Sequence, residues 1–404
     1  MNWLGFIKLI NSIYGKGMPD PVAIQKMGLL AVKIGQVHAL RIDFLSREKC
    51  EVLATLYRQN QTLPPADFIR LIDSAGVAGF RANFNSIDER PLAAASIGQI
   101  HRAKMKDGSE VVIKAIKAIY KTQFASDVRS VEKLFKSLIF FYPKLARVAN
   151  PLGILEDIKT YTLSELDLRN ELKGQQLLKS IYEKYKDTHD LSRLAFAKIY
   201  ESISNEYVMV SEYIAGKTFD ELLTERKIDY QTLLDLFLVH GTYMFVAGTF
   251  HGDIHPGNVI LSNNKFYFVD TGSTAVVNDK FRKGLLNFFE ALSYDDYPLC
   301  AKGLHEMSDV VLSEKQYRQF LESFIILYKD YKGSTVSQVS LTQKMMETIK
   351  LGVNSGMSFD KGMFPIIRSL MYMDGMVLKC NPDAVLLKDM QPYISQFKKQ
   401  VKDI

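Results

Sequence analysis

The run His251-Gly252-Asp253-Ile254-His255-Pro256-Gly257-Asn258, followed by Val269-Asp270-Thr271-Gly272, gathers acids, amides and imidazoles in one short stretch. Asp253 and Asn258 stand five apart, and Asp270 follows 17 residues after Asp253. Phosphoryl transfer from a nucleotide needs an oxygen cage for a hard cation, plus a carboxylate that orients the attacking hydroxyl or takes its proton. Asp270 and Asn258 suit the metal, Mg²⁺, and Asp253 suits the nucleophile. The rival chemistry makes His251 and His255 a zinc pair, but Gly252 and Pro256 oppose the helix that an HxxxH site requires, and no third ligand is evident. The plain alternative is a polar turn, which the occurrence of both halves at this spacing disfavours.

Upstream, Val111-Val112-Ile113-Lys114 reads as a strand whose alternation aims the Lys114 ammonium away from its packed neighbours. A lone strand lysine is usually a solvated edge. Glu171, 57 residues later, is the candidate helix-borne partner, because a Lys–Glu pair over nucleotide phosphates is a recurrent kinase device. That separation exceeds what a small kinase lobe needs, so an insertion is expected between them. Leu92-Ala93-Ala94-Ala95-Ser96-Ile97-Gly98-Gln99 stands where a glycine-rich phosphate loop would lie. Methyl groups let backbone amides approach a phosphate less freely than glycine does.

These residues require positioning elements. Residues 1 to about 75 read as helical, with the Pro64-Pro65 pair expected to end a helix near Leu63. Ile97 to Lys104 and Glu110 to Ile116 read as a hairpin across Lys106-Asp107-Gly108. Thr122 to Tyr185 reads as helical, Tyr207 to Tyr213 as a strand, and Leu233 to Phe250 as a buried helix. Val259 to Leu261 and Phe266 to Asp270 are β-like runs in an otherwise helical remainder. The expected order is a helical leader (1–85), a small mixed lobe with a helical insertion (86–214) and a large helical lobe (215–404).

The chain has 404 residues, 47% of them hydrophobic, and 51 Lys plus Arg against 45 Asp plus Glu, for a net charge of +6. Disorder and a disulfide-stapled miniature are excluded. The surplus is too thin to argue for nucleic acid as a partner, though it suits phosphate-bearing ligands or an anionic membrane. Three widely spaced cysteines, Cys50, Cys300 and Cys380, indicate neither a disulfide framework nor a zinc knuckle. Trp3, Phe6, Ile7, Ile10, Ile13 and Tyr14 fall at helical spacing, a stripe expected to pack on protein, with a membrane interface as the alternative.

The chain resembles the UbiB/ADCK family of atypical protein-kinase-like proteins, the aarF-domain kinases. Lys33-Ile34-Gly35-Gln36 is similar to its KxGQ signature, Ala93 to Ser96 to its alanine-rich loop, Glu165-Leu166-Asp167 to its ExD signature, and Asp253, Asn258 and Asp270 to its catalytic and metal set. The resemblance implies an α+β, bilobal protein-kinase-like fold with the N-terminal helical extension packed over the active-site cleft. It implies ATP and Mg²⁺ as cofactors, weak or absent protein-kinase activity, a lipid-stimulated ATPase, and support of ubiquinone biosynthesis or lipid homeostasis alongside quinone-pathway proteins. By the same resemblance Asp253, Lys114 and Glu171 are catalytic. Lys33, Gln36, Ala94, Ala95, Ser96, Lys114, Glu165, Asp167, Glu212 and Ile214 contact the nucleotide, the last two through hinge backbone groups at adenine. Asn258 and Asp270 hold the metal.

Departures matter as well. Thr271 replaces the phenylalanine of many kinases, and Gly252 stands where an arginine usually precedes the catalytic aspartate, which argues against control by a phosphorylated activation loop. The C-terminal run Gln396 to Lys402 shows no paired hydrophobic spans, unlike members anchored by two C-terminal helices. The expected location is the cytoplasm, with peripheral membrane contact to be tested. Two rivals remain: a small-molecule phosphotransferase of the aminoglycoside or choline kinase kind, and a non-catalytic nucleotide-binding scaffold.

Overall fold

The computed structural model describes residues 3–39, 45–57, 62–94, 97–142, 151–359 and 362–402. Contacts divide the chain into two units, Met1–Leu172 with Ala197–Tyr213, and Lys173–Phe196 with Ile214–Ile404. Both mix helix and strand.

The first unit opens with helices α1 (Trp3–Tyr14), α2 (Pro21–Lys26), α3 (Leu29–His38), α4 (Arg47–Ala54) and α5 (Pro65–Ala75). The proline pair opens α5 instead of ending a helix at Leu63: Pro65 takes the first helical position, where its missing N–H costs nothing. Strands β1 (Phe84–Ile87), β2 (Ala93–Ala94), β3 (Gly98–Met105) and β4 (Glu110–Ile116) follow. Then come helices α6 (Ala118–Phe141), α7 (Pro151–Glu165) and α8 (Arg169–Tyr185), whose first turn belongs to this unit, then β5 (Leu194–Ala195) of the second unit and β6 (Val208–Glu212) of the first. The antiparallel sheet runs β1-β3-β4-β6 with β2 on β3. Gly108, at φ +89°, and Asp107, whose carboxylate accepts the Ser109 N–H at 2.9 Å, close the β3–β4 hairpin.

Alternation along β4 sends Val111, Ile113 and Ala115 into one core with Phe68 and Ile72 of α5. Lys114 shares the opposite face with Met209, its cross-strand partner. On that side a second core joins Ile116 and Met209 to Phe6, Leu9 and Ile13 of α1 and to Leu30 and Ile34 of α3.

The second unit adds β7 (Lys217–Thr218), α9 (Phe219–Thr224), α10 (Tyr230–Gly241), β8 (Thr249–His251), β9 (Val259–Ser262), β10 (Lys265–Phe268) and β11 (Thr274–Val276). Its remainder is helical: α11 (Asp279–Ser293), α12 (Tyr297–Met307), α13 (Glu314–Tyr328), α14 (Leu341–Asn354), α15 (Met363–Cys380) and α16 (Leu386–Lys402). Strands pair as β5-β10-β9-β7 and as β11-β8. The apolar stretch 233–250 is not one helix. α10 passes into a π-helical segment, Thr242–Ala247; Gly248 at φ +73° stops it, and Phe250 lies in β8. Phe237, Phe245, Phe250, Phe266 and Phe289 anchor one core.

Candidate functional site

His251 ends β8 with its ring buried, 1% exposed. Its Nε2 donates to Val269 O at 3.0 Å and its Nδ1 accepts the Asp253 N–H at 3.1 Å, so the neutral ring carries its proton on Nε2. Burial lowers the His251 pKa, against opposing pulls from the Val269 carbonyl, Asp253 and Asp270. Both ring nitrogens are thus committed to backbone groups, and the zinc alternative loses its first ligand. Among the described residues no three His, Cys, Asp or Glu side chains group as a metal site.

Asn258 Nδ2 donates to Asp253 O at 3.0 Å, and the Val269 N–H donates to Asn258 O at 2.9 Å. Asp253, Asn258 and Asp270 are thereby tied into one hydrogen-bonded loop pair. Asp270 sits at φ +56°, a left-handed conformation that Asp tolerates better than most residues. Asp253 Oδ1 is buried and has no hydrogen-bond donor among the described residues; Arg368 Nε lies 3.9 Å away. Thr271 is buried, and its carbonyl lies so close to Gly174 of α8 that a Cβ there would come within 1.9 Å of the oxygen.

In the first unit Lys114 and Glu171 form a buried ion pair, their side chains 10% and 8% exposed. Lys33 is ion-paired with Glu165 and lies 5.8 Å from the Tyr161 ring centroid. Gln36 donates from Nε2 to Leu56 O at 3.1 Å. The glycine between them is steric: a Cβ on Gly35 would stand 2.5 Å from Leu56 Cδ1. Asp167 does not share the Lys33–Glu165 pair. It accepts from the Arg169 Nε at 2.8 Å, and that guanidinium holds its carboxyl below the usual range. Ala94 pairs with Gln99 across the β2–β3 ladder, whereas Ala95 and Ser96 lie outside the described residues.

The Glu212 N–H is taken by Lys198 O at 2.8 Å and the Tyr213 N–H by Glu110 O at 3.0 Å. In the second unit, Ile214 O accepts the Gly216 N–H at 2.9 Å. A groove of about 1200 Å³ in the first unit is lined by Leu63, Arg70, Lys117, Arg169, Glu206 and Tyr207 among others, and by none of the expected site residues. Sequence reasoning missed Arg368 and Gly174; the only signal for the first was the missing cation at Gly252.

A family model described as the ABC1 atypical kinase-like domain matches residues 56–304. A Vibrio cholerae "probable protein kinase UbiB" is 24% identical over 388 residues, covering 93% of this chain and 69% of that protein. A Clostridium pasteurianum protein, called uncharacterized and encoded beside hydrogenase 1, is 24% identical over 384 residues, with 92% and 69% covered. Among solved structures, Rv3197 of Mycobacterium tuberculosis, determined with erythromycin, aligns at a TM-score of 0.50 and 18% identity, covering 94% of this chain and 95% of that one. That likeness concerns the fold.

Proposed function

Because the chain belongs to the ABC1 atypical kinase-like domain family, we propose that it binds Mg-ATP and transfers the γ-phosphoryl group to water or to an acceptor hydroxyl. It would act as a UbiB-like ATPase or kinase that supports isoprenoid-quinone metabolism or lipid homeostasis. Relatives named UbiB support the pathway. The observation that carries the chemistry is the Asp253 carboxylate, partly exposed and with no hydrogen-bond donor on its buried Oδ1, which supports its taking an attacking hydroxyl or water on its accessible side.

The donor set fits a hard cation. With Nδ2 engaged at Asp253 O, Asn258 has Oδ1 to offer, and Asp270 adds a carboxylate. When bound, magnesium neutralises charge on the phosphates. Asp253 orients the acceptor, while His251 holds the Asp253 backbone in register with Val269, the residue before Asp270. Lys114, kept in place by Glu171, contributes its ammonium to the α/β-phosphates. Lys33, Gln36, Glu165 and Asp167, with the Ala94–Ser96 amides, are assigned to the nucleotide, and the backbones of Glu212 and Ile214 to adenine.

No helix among the described residues is long and apolar enough to cross a membrane. Helix α1 nevertheless turns Trp3, Leu4 and Ile7 outward, each at least half exposed, and this supports peripheral contact with an anionic bilayer.

The test is Asp270→Asn in the full chain, which keeps the side-chain shape and left-handed tolerance. Calorimetric Mg-ATP uptake and ADP release, with and without anionic liposomes and quinone-precursor phenols, should both collapse in the variant. Turnover retained by Asp270→Asn would end the reading.

A further inference from the structure

We infer that Arg368 of α15 is a positioning residue that clamps the Asp253 loop to the segment after Asp270 and brings to Asp253 the cation its own loop lacks. This rests on the phosphoryl-transfer reading above. Kinases of the His-Arg-Asp type carry an arginine directly before the aspartate. Here that position is Gly252, where a side chain would fit only tightly. A Cβ would meet Ser273 O at 3.0 Å and Ala275 Cβ at 3.3 Å. The Gly252 N–H donates to Ser273 O at 2.6 Å, which zips the two segments together.

The guanidinium arrives instead from Arg368, 116 residues further along the chain. Arg368 Nε donates to Gly252 O at 2.9 Å, joined by Nη2, which also donates to Ser273 Oγ at 3.3 Å. The same Nε lies 3.9 Å from Asp253 Oδ1, the buried oxygen without a donor. Ile366, Ile367, Leu370 and Met373 are buried on α15, so the rotation of that helix, and hence the direction of residue 368, is fixed by packing. A planar fork of donors can serve two segments at once, which a lysine ammonium does less well. In His-Arg-Asp kinases the arginine pairs with an added phosphate; here its counterpart is occupied by the fold itself, so the loop is held without a modification.

The experiment compares full-chain wild type, Arg368→Met and Arg368→Lys. Arg368→Met should lower kcat by on the order of tenfold to a hundredfold, as small misplacements of reacting groups do, while Mg-ATP affinity stays within about threefold. Amide hydrogen exchange should rise in residues 250–258 and 270–276 and not in the rest of α15. Arg368→Lys should recover part of kcat and of the protection. Phosphatase treatment should leave wild-type turnover unchanged. Wild-type kcat and protection in Arg368→Met would overturn the clamp, as would a Lys variant no better than Met. A wild type inert toward Mg-ATP would sink the phosphoryl-transfer reading alone, because the exchange comparison still decides whether Arg368 holds the two segments.

Discussion

The His251 ring reaches the carbonyl of Val269 at 3.0 Å and so fastens the strand end before Asp253 to the residue before Asp270. Behind it lies His240 of α10, fully enclosed, with no partner on either nitrogen and an edge-on contact to Phe250 at 5.5 Å. Burial pushes the His240 pKa down to about 3, with a smaller push from His251.

Those lowered values give a pH dependence with a definite sign. A histidine whose native pKa lies below its unfolded value of about 6.5 binds its proton first in the unfolded chain, so stability is full above that pH. It falls as pH drops toward the native value, by about 1.4 kcal/mol per pH unit for each such histidine. Urea denaturation at pH 7 and pH 5 should therefore show a smaller loss in His240→Leu than in wild type, by about 2 kcal/mol. Equal losses would mean that His240 is not kept neutral.

The Lys114–Glu171 pair is buried on both sides. Lys114→Met and Glu171→Gln, each stranding the other charge or its polar remnant, should cost up to about 3–5 kcal/mol. The double variant Lys114→Met/Glu171→Gln should cost clearly less than the sum of the single losses, measured by denaturant midpoints in a double-mutant cycle. Additive losses would show that the two side chains act separately.

Gly174→Ala places a methyl 1.9 Å from the Thr271 carbonyl oxygen, a backbone atom that cannot rotate away. The expected cost is about 1–3 kcal/mol, together with reduced Mg-ATP turnover because the segment after Asp270 must shift. A variant with wild-type melting and turnover would show that α8 yields there freely.

The two faces of α1 should separate in experiment. Leu9, fully buried, should cost about 2–5 kcal/mol on truncation to Ala. Ile7→Ser, on the half-exposed face, should alter stability by less than about 0.5 kcal/mol yet weaken co-sedimentation with anionic liposomes. Liposome binding unchanged by Trp3→Ser/Ile7→Ser would remove the membrane role.

The helix of α1 was legible from its spacing, but not its orientation, since Trp3, Leu4 and Ile7 make it apolar on the side away from the core as well. The β3–β4 hairpin was legible because alternation and a glycine turn are local signals. The π-helical end of α10 was not: Thr242 to Phe250 is as apolar as the helix before it, and only Gly248 marks the change of path. Asp253, Asn258 and Asp270 stand out in the sequence because their spacing matches a known chemistry, whereas Arg368 is distant in sequence and carries no motif. Its place depends on how α15 packs, which no local pattern encodes. Asp167 shows the reverse: a signature residue whose carboxylate is held by its neighbour Arg169.

The sheet of the first unit is completed by a strand that the chain delivers late. β4 lies between β3 and β6, and β6 arrives only after the chain has contributed Lys173–Phe196 to the second unit. During synthesis the Val111–Ile116 run therefore waits with one edge bare for almost a hundred residues, roughly 5–20 seconds at ordinary elongation rates. Fragments that stop before Val208 keep that apolar edge open to any passing strand, so they should aggregate where the full chain stays dispersed.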